Sequence, residues 1–119
     1  MKYLFLLHSP DGPPLDQSTA EYADLFAAYA KANAAMAEAG VLIDCAPLQP
    51  VSSATTVRVR DGGTLVTDGP AAEIREQVGG YTLVDCADLD EALKWAATVP
   101  AARTGWVEVR PAIATRPPS

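Results

Sequence analysis

Residues 81–110 read YTLVDCADLDEALKWAATVPAARTGWVEVR, and this stretch decides the fold. Tyr81 to Cys86 forms a short apolar run rich enough in β-formers for a strand. Asp88 then offers an oxygen to the unpaired N–H groups of a helix start, and Glu91 stands three residues on, at the capping-box position. Leu89, Ala92, Leu93 and Ala96 recur at three-to-four spacing, which predicts a helix with one apolar face. Pro100 marks its end. From Trp106 to Arg110 the period changes to two, with Val107 and Val109 opposed to Trp106, Glu108 and Arg110. The order is strand, helix, strand.

The N-terminal half repeats that order. Lys2 to His8 reads as a buried strand, and Ser9 to Pro14, with three prolines and a glycine, as a loop. Ser18 opens the first helix, with Glu21 completing a capping box. Tyr22, Leu25, Tyr29, Ala32 and Met36 form its apolar stripe, widened by Phe26, Ala30 and Ala37. Gly40 is placed to terminate it. Val41 to Ala46 is the next strand, and Pro47 and Pro50 bracket a turn.

Between the halves, Thr55 to Arg60 alternates, with Val57 and Val59 on one side and Thr56, Arg58 and Arg60 on the other. Asp61-Gly62-Gly63 is a hairpin turn signal, and Thr64 to Thr67 returns as the partner strand. Asp68 to Gly80 admits two readings. It is a short helix begun at Pro70 with Glu73 in its first turn, or an irregular arm.

Two βαβ halves with helices on one side predict an α+β, ferredoxin-like βαβ-repeat sandwich. The sheet face without helices needs a cover. A homodimer that pairs two such sheets, of the dimeric α/β-barrel type, is the expected solution. Residues 1–113 are expected to form the single domain and 114–119 a frayed tail.

The chain has 119 residues, which suits one domain. Hydrophobic residues make up 49%, enough for a core. The formal net charge is −6 and no cluster of Lys or Arg offsets it, which argues against direct nucleic-acid binding. The apolar run from Tyr3 to Leu7 is too short for a secretory signal, and no stretch approaches the ~20 apolar residues a bilayer span needs. The expectation is a cytoplasmic, non-membrane protein. Cys45 and Cys86 then read as reduced thiols.

Residues Thr67-Asp68-Gly69-Pro70-Ala71-Ala72-Glu73, Glu76, Gly79-Gly80-Tyr81, Asp88-Leu89-Asp90-Glu91-Ala92, Trp95-Ala96 and Val107-Glu108-Val109-Arg110-Pro111 carry a resemblance. Together with Met1-Lys2-Tyr3-Leu4 and Thr55 to Arg60, they resemble the YCII-related proteins, in the subgroup named for an Asp-Gly-Pro-Phe motif. The resemblance implies a dimeric ferredoxin-like fold. It also implies cofactor-free chemistry on small molecules for some relatives, through a His–Asp pair. For this subgroup it implies an association with alternative sigma factors and transcription initiation. The motif's Phe is Ala71 here, and the first helix lacks the wider family's histidine, so that acid–base pair does not carry across.

The residues themselves nominate a site. His8 is the one histidine, suited to proton transfer near neutral pH, or a loop-entry residue. Asp68 either fixes the Gly69-Pro70 turn or projects into a cavity. Arg58 holds an anionic ligand or pairs with Glu73 or Glu108. Glu73 is a second candidate ligand-binding carboxylate, and Glu108 with Arg110 forms a charge set on one strand face. The expected activity is binding of a small molecule in a pocket between sheet and helices, with acid–base chemistry on His8 and Asp68 and no cofactor. A regulatory module is the alternative. One histidine and two separated cysteines disfavour a zinc site. Neither a phosphate-binding glycine loop nor a Gly-x-Ser-x-Gly turn is present.

Overall fold

The structure, a computed structural model, describes residues 1–10, 16–69 and 76–114. The elements follow one another as β1 (Lys2–Pro10), α1 (Ala20–Glu38), β2 (Leu42–Pro47), β3 (Thr55–Arg60), β4 (Gly63–Asp68), β5 (Glu76–Asp85), α2 (Leu89–Ala96), α3 (Ala101–Thr104) and β6 (Trp106–Pro111). Four strands form one sheet in the order β2-β5-β1-β6. Every pairing in it is antiparallel. Setting aside the β3–β4 hairpin, this is the ferredoxin-like arrangement of two interleaved strand–helix–strand units.

The sheet is open. β2 and β6 are its two edges, and β3 and β4 form a separate two-stranded sheet. The expected dimeric α/β barrel is therefore corrected: among the described residues, no pairing joins the edge strands into a barrel. The physical reason lies in the hairpin. Its strands pair only with each other, so the segment that might extend the sheet projects as a ribbon instead.

One face of the sheet carries the core. Tyr3, Phe5 and Leu7 from β1 and Thr82 and Val84 from β5 are buried there, with Ala32 and Met36 of α1 and Ala92 and Ala96 of α2. Tyr29, Trp95, Val107 and Val109 close around this cluster. Phe5 and Met36 are fully buried, and shortening either to Ala costs about 2–5 kcal/mol.

The helix ends show how sequence fixes these elements. α1 begins one residue later than expected, because the Thr19 hydroxyl, not that of Ser18, accepts the Tyr22 N–H at 3.2 Å. Ser18 instead donates its N–H and hydroxyl to Asp16, at 2.9 and 2.8 Å. Those two bonds hold the Asp16 carboxyl below its ordinary pKa. Gly40, at φ +77°, ends the helix in the left-handed region. Val41 N–H bonds Met36 C=O and Gly40 N–H bonds Ala37 C=O, the pairing of a Schellman motif. At α2, Asp88 accepts the Glu91 N–H at 2.9 Å, and Glu91 reaches back to the Ala87 N–H at 3.1 Å.

Three local expectations change. Phe26 is 62% exposed, so the stripe of α1 is narrower than its sequence suggests. On α2 the inward side belongs to Ala92, Ala96 and half-buried Trp95, while Leu89 and Leu93 face outward. Small residues let the helix axis approach the sheet, and the indole fills the space beside it. β5 starts at Glu76, five residues before Tyr81, and continues through Gly79-Gly80 with a register shift at Gly79. Gly80 marks a close approach: a Cβ there would lie 2.9 Å from the Ala46 carbonyl oxygen of β2. The alternative helix from Pro70, and Glu73 within it, lie outside the described residues, as does the 115–119 part of the tail.

Candidate functional site

The sheet face opposite the helices is built from the other half of each strand's alternation. Register places Leu4 beside Leu83 and Arg110, Leu6 beside Tyr81 and Glu108, and His8 beside Val78 and Trp106. Leu4, Leu6 and Leu83 make a half-buried apolar floor. Polar groups rim it on both sides. Tyr81 Oη donates to Asp44 Oδ2 at 2.9 Å near the β2 edge, and the Asp44 carboxylate raises the tyrosine's pKa.

His8 stands at one end of this face and is 8% exposed. Its ring lies parallel to that of Trp106, within 8° and with centroids 5.5 Å apart. Glu108 Oε1 is 3.9 Å from His8 Nε2, and Glu108 Oε2 accepts from Arg110 Nε at 2.6 Å. One carboxylate therefore faces an imidazole on one side and a guanidinium on the other. At 3.9 Å the carboxylate is a close neighbour of the ring, beyond hydrogen-bond reach.

Backbone geometry holds His8 in place. The register of β1 on β5 shifts between Leu7 and His8, where Leu7 faces Gly80 and His8 faces Val78, which leaves Gly79 as the extra residue of a bulge. On the other flank, a Cβ on Gly105 would run into the His8 carbonyl oxygen. Only glycine lets the chain pass from α3 into β6 at this point.

Two surface grooves lie near these elements. The larger, about 580 Å³, runs beside α2 between Asp88, Lys94 and Trp95. Of its polar groups, Asp88 and Glu91 are engaged in capping and Thr98 donates to the Trp95 carbonyl, while Asp90 and Lys94 also line it. The smaller, about 320 Å³, is lined by Leu48, Pro50, Val51, Ala54 and Val78, with Gln49 and Ser53 as its polar side chains. Val78 is the strand partner of His8, but His8 is not among the residues that line this groove, and both its ring nitrogens are buried. The layer between sheet and helices, where a pocket was expected, is filled by the core side chains already named.

The structure separates the residues nominated from sequence. His8 is on the four-stranded sheet, whereas Arg58 and Asp68 are on the β3–β4 ribbon. Asp68 is exposed and pairs with Thr55, and Arg58 is half-buried opposite Leu65. Glu73 lies outside the described residues. Trp106 and the role of Glu108 beside His8 were missed. The signal was present in the alternation of residues 106–110, but it needed the β1–β6 register to be read.

Cys45 and Cys86 are both free thiols. Burial, with Glu91 nearby, pushes the Cys86 pKa up to about 11. Among the described residues, no three His, Cys, Asp or Glu side chains are grouped to hold a metal. None of the described helices is long and apolar enough to cross a membrane.

An open ferredoxin-like α+β domain, with a histidine–carboxylate pair on the uncovered sheet face, is the class of protein defined here. The chain belongs to the YCII-related domain family, which it matches over residues 1–116. It is similar to the uncharacterized protein R00369 of Rhizobium meliloti (strain 1021), at 48% identity over 82 residues. That match takes in 67% of this chain and 66% of the relative, so the chain spans just under two thirds of that protein's length.

Proposed function

We propose that the chain binds a small molecule on the open sheet face and performs cofactor-free acid–base chemistry there through His8. The observation that carries this reading is the buried imidazole held against Trp106 with the Glu108 carboxylate 3.9 Å away. His8 takes a proton from the ligand and returns it, with the Glu108 carboxylate beside the ring. Arg110 is a positioning residue that holds Glu108 by its 2.6 Å bond. Asp68 and Arg58 keep a place as groups that a ligand extending toward the ribbon meets. Asp68-Gly69-Pro70 matches the first three residues of the subgroup's Asp-Gly-Pro-Phe motif, with Ala71 in place of the Phe.

A thermal-shift screen of organic acids and hydroxylated aromatics tests the reading, since a native-state binder raises apparent stability. A hit whose binding moves the His8 ring resonances, and loses that effect in Glu108→Gln, supports it. Silence across the whole panel overturns it.

A regulatory module linked to a sigma factor has one observation on its side. Val57 and Val59 of the ribbon are each 61% exposed, with Val66 beside Val57 on the same face. Recovery of a sigma factor by the wild-type chain and not by Val57→Asp would favour that reading. Equal recovery by both would remove its support.

A further inference from the structure

We infer that the outer edge of β4 takes up an extended segment of a partner protein as an added strand, apolar at its centre and with a Lys or Arg beside Asp68. The inference stands apart from the His8 reading above.

Backbone hydrogen bonding makes the first argument. Arg60 and Gly63 flank the two-residue turn at Asp61-Gly62, so they exchange ladder bonds. The alternation of an antiparallel pair then turns the main-chain groups of Thr56, Arg58, Leu65 and Thr67 inward. The same parity reaches the neck, where Gly69 donates to the Ala54 carbonyl. The N–H and C=O groups of Thr64, Val66 and Asp68 therefore point away from β3, and those of Thr55, Val57 and Val59 away from β4.

The two edges differ. On β3, Arg60 Nη1 folds back and donates to the outward Val59 carbonyl at 2.9 Å. Among the described residues, β4 has no such guard. Its six residues, Gly63–Asp68, are all exposed, run without a register shift and include no Lys or Pro. A regular edge with open main-chain groups is what strand addition uses.

Side chains select the occupant. Leu65 on one face and Val66 on the other are both exposed, so an added strand gains contact by carrying apolar residues opposite them. Asp68 shares its face with Thr55, Val57, Val59, Thr64 and Val66, none of them a cation. A Lys or Arg directly beside it supplies the missing charge. A second copy of the chain pairing β4 with β4 does not, because β4 contains no Lys or Arg. Two copies, each with a net charge of −6, also repel one another.

The test uses two hexapeptides with blocked ends, Lys-Thr-Val-Val-Thr-Ser and the same peptide with Glu in place of Lys. Amide NMR on the whole chain reads binding, and water-exchange NMR reads the edge. The Lys peptide should slow exchange of the Thr64 and Val66 amides by about fivefold at roughly four-fifths occupancy, and affect the already bonded Leu65 and Thr67 amides less. It should bind about fivefold more tightly than the Glu peptide, a preference that disappears in Asp68→Asn. Val66→Pro removes an outward N–H and no ladder bond, and should abolish binding of both. Where that variant disturbs the ribbon, the exchange pattern of the unaltered chain decides. Absence of binding at millimolar peptide, equal affinity for the two peptides, or protection spread evenly over both sets of amides overturns the inference. So does a peptide-free chain that sediments as a dimer with Thr64 and Val66 already protected, which assigns the edge to a second copy.

Discussion

Trp106 is the direct antiparallel partner of His8, and the two rings are stacked 5.5 Å apart. The indole thereby shields one face of the sole histidine and fixes its plane. Replacing Trp106 by Ala should lower stability by about 3 kcal/mol or less, since the side chain is partly exposed. It should also broaden or shift the His8 ring resonances. Chemical denaturation and proton NMR check the two effects. Unchanged His8 resonances would show that the stack does not position the ring.

Gly105 is the second support of that position. Gly105→Ala adds a methyl against the His8 backbone, so β1 and β6 must separate locally. A loss of about 1–3 kcal/mol is expected, with the His8 resonances displaced. Urea unfolding measures the first and NMR the second. A neutral substitution would mean that the strand ends yield freely.

Cys86 should react slowly with iodoacetamide at pH 8, because its pKa stands at about 11 against an ordinary 9. Half-buried Cys45 should label first. The raised value also links to stability. Below pH 9 the thiol is neutral in both states, and its contribution is fully present. As pH rises from 9 through 11, the unfolded chain ionises first and that contribution is lost. Cys86→Ser should show a flatter decline over that window in denaturation experiments.

Asp44→Asn should bring the Tyr81 pKa down toward its ordinary value, because the carboxylate that raises it is gone. Ultraviolet difference titration reads the change. An unmoved Tyr81 would show that the Asp44 bond is not kept in solution.

Most of the element order was legible because each period is local. The β3–β4 turn was legible too. Asp61 at φ 53° and Gly62 at φ 77° are the two left-handed residues that such a turn requires. What escaped depended on neighbours far along the chain. Gly79-Gly80 looks like a terminator, yet it continues β5 because β2 and β1 pass so close to it. α3 follows Pro100 because proline is well suited to a helix's opening turn, although by itself it reads as an end. The site escaped for the same reason. His8 and Glu108 are a hundred residues apart, and only antiparallel register makes them neighbours.

The β3–β4 ribbon leaves the body and returns at nearly one point. Gly69 donates its N–H to the Ala54 carbonyl at 2.7 Å, and the Thr56 hydroxyl closes on the Gly69 carbonyl at the same distance. Such a neck isolates what lies beyond it. Lengthening, trimming or recolouring the ribbon leaves the four-stranded sheet untouched, so the chain carries two surfaces that natural selection can tune on separate schedules.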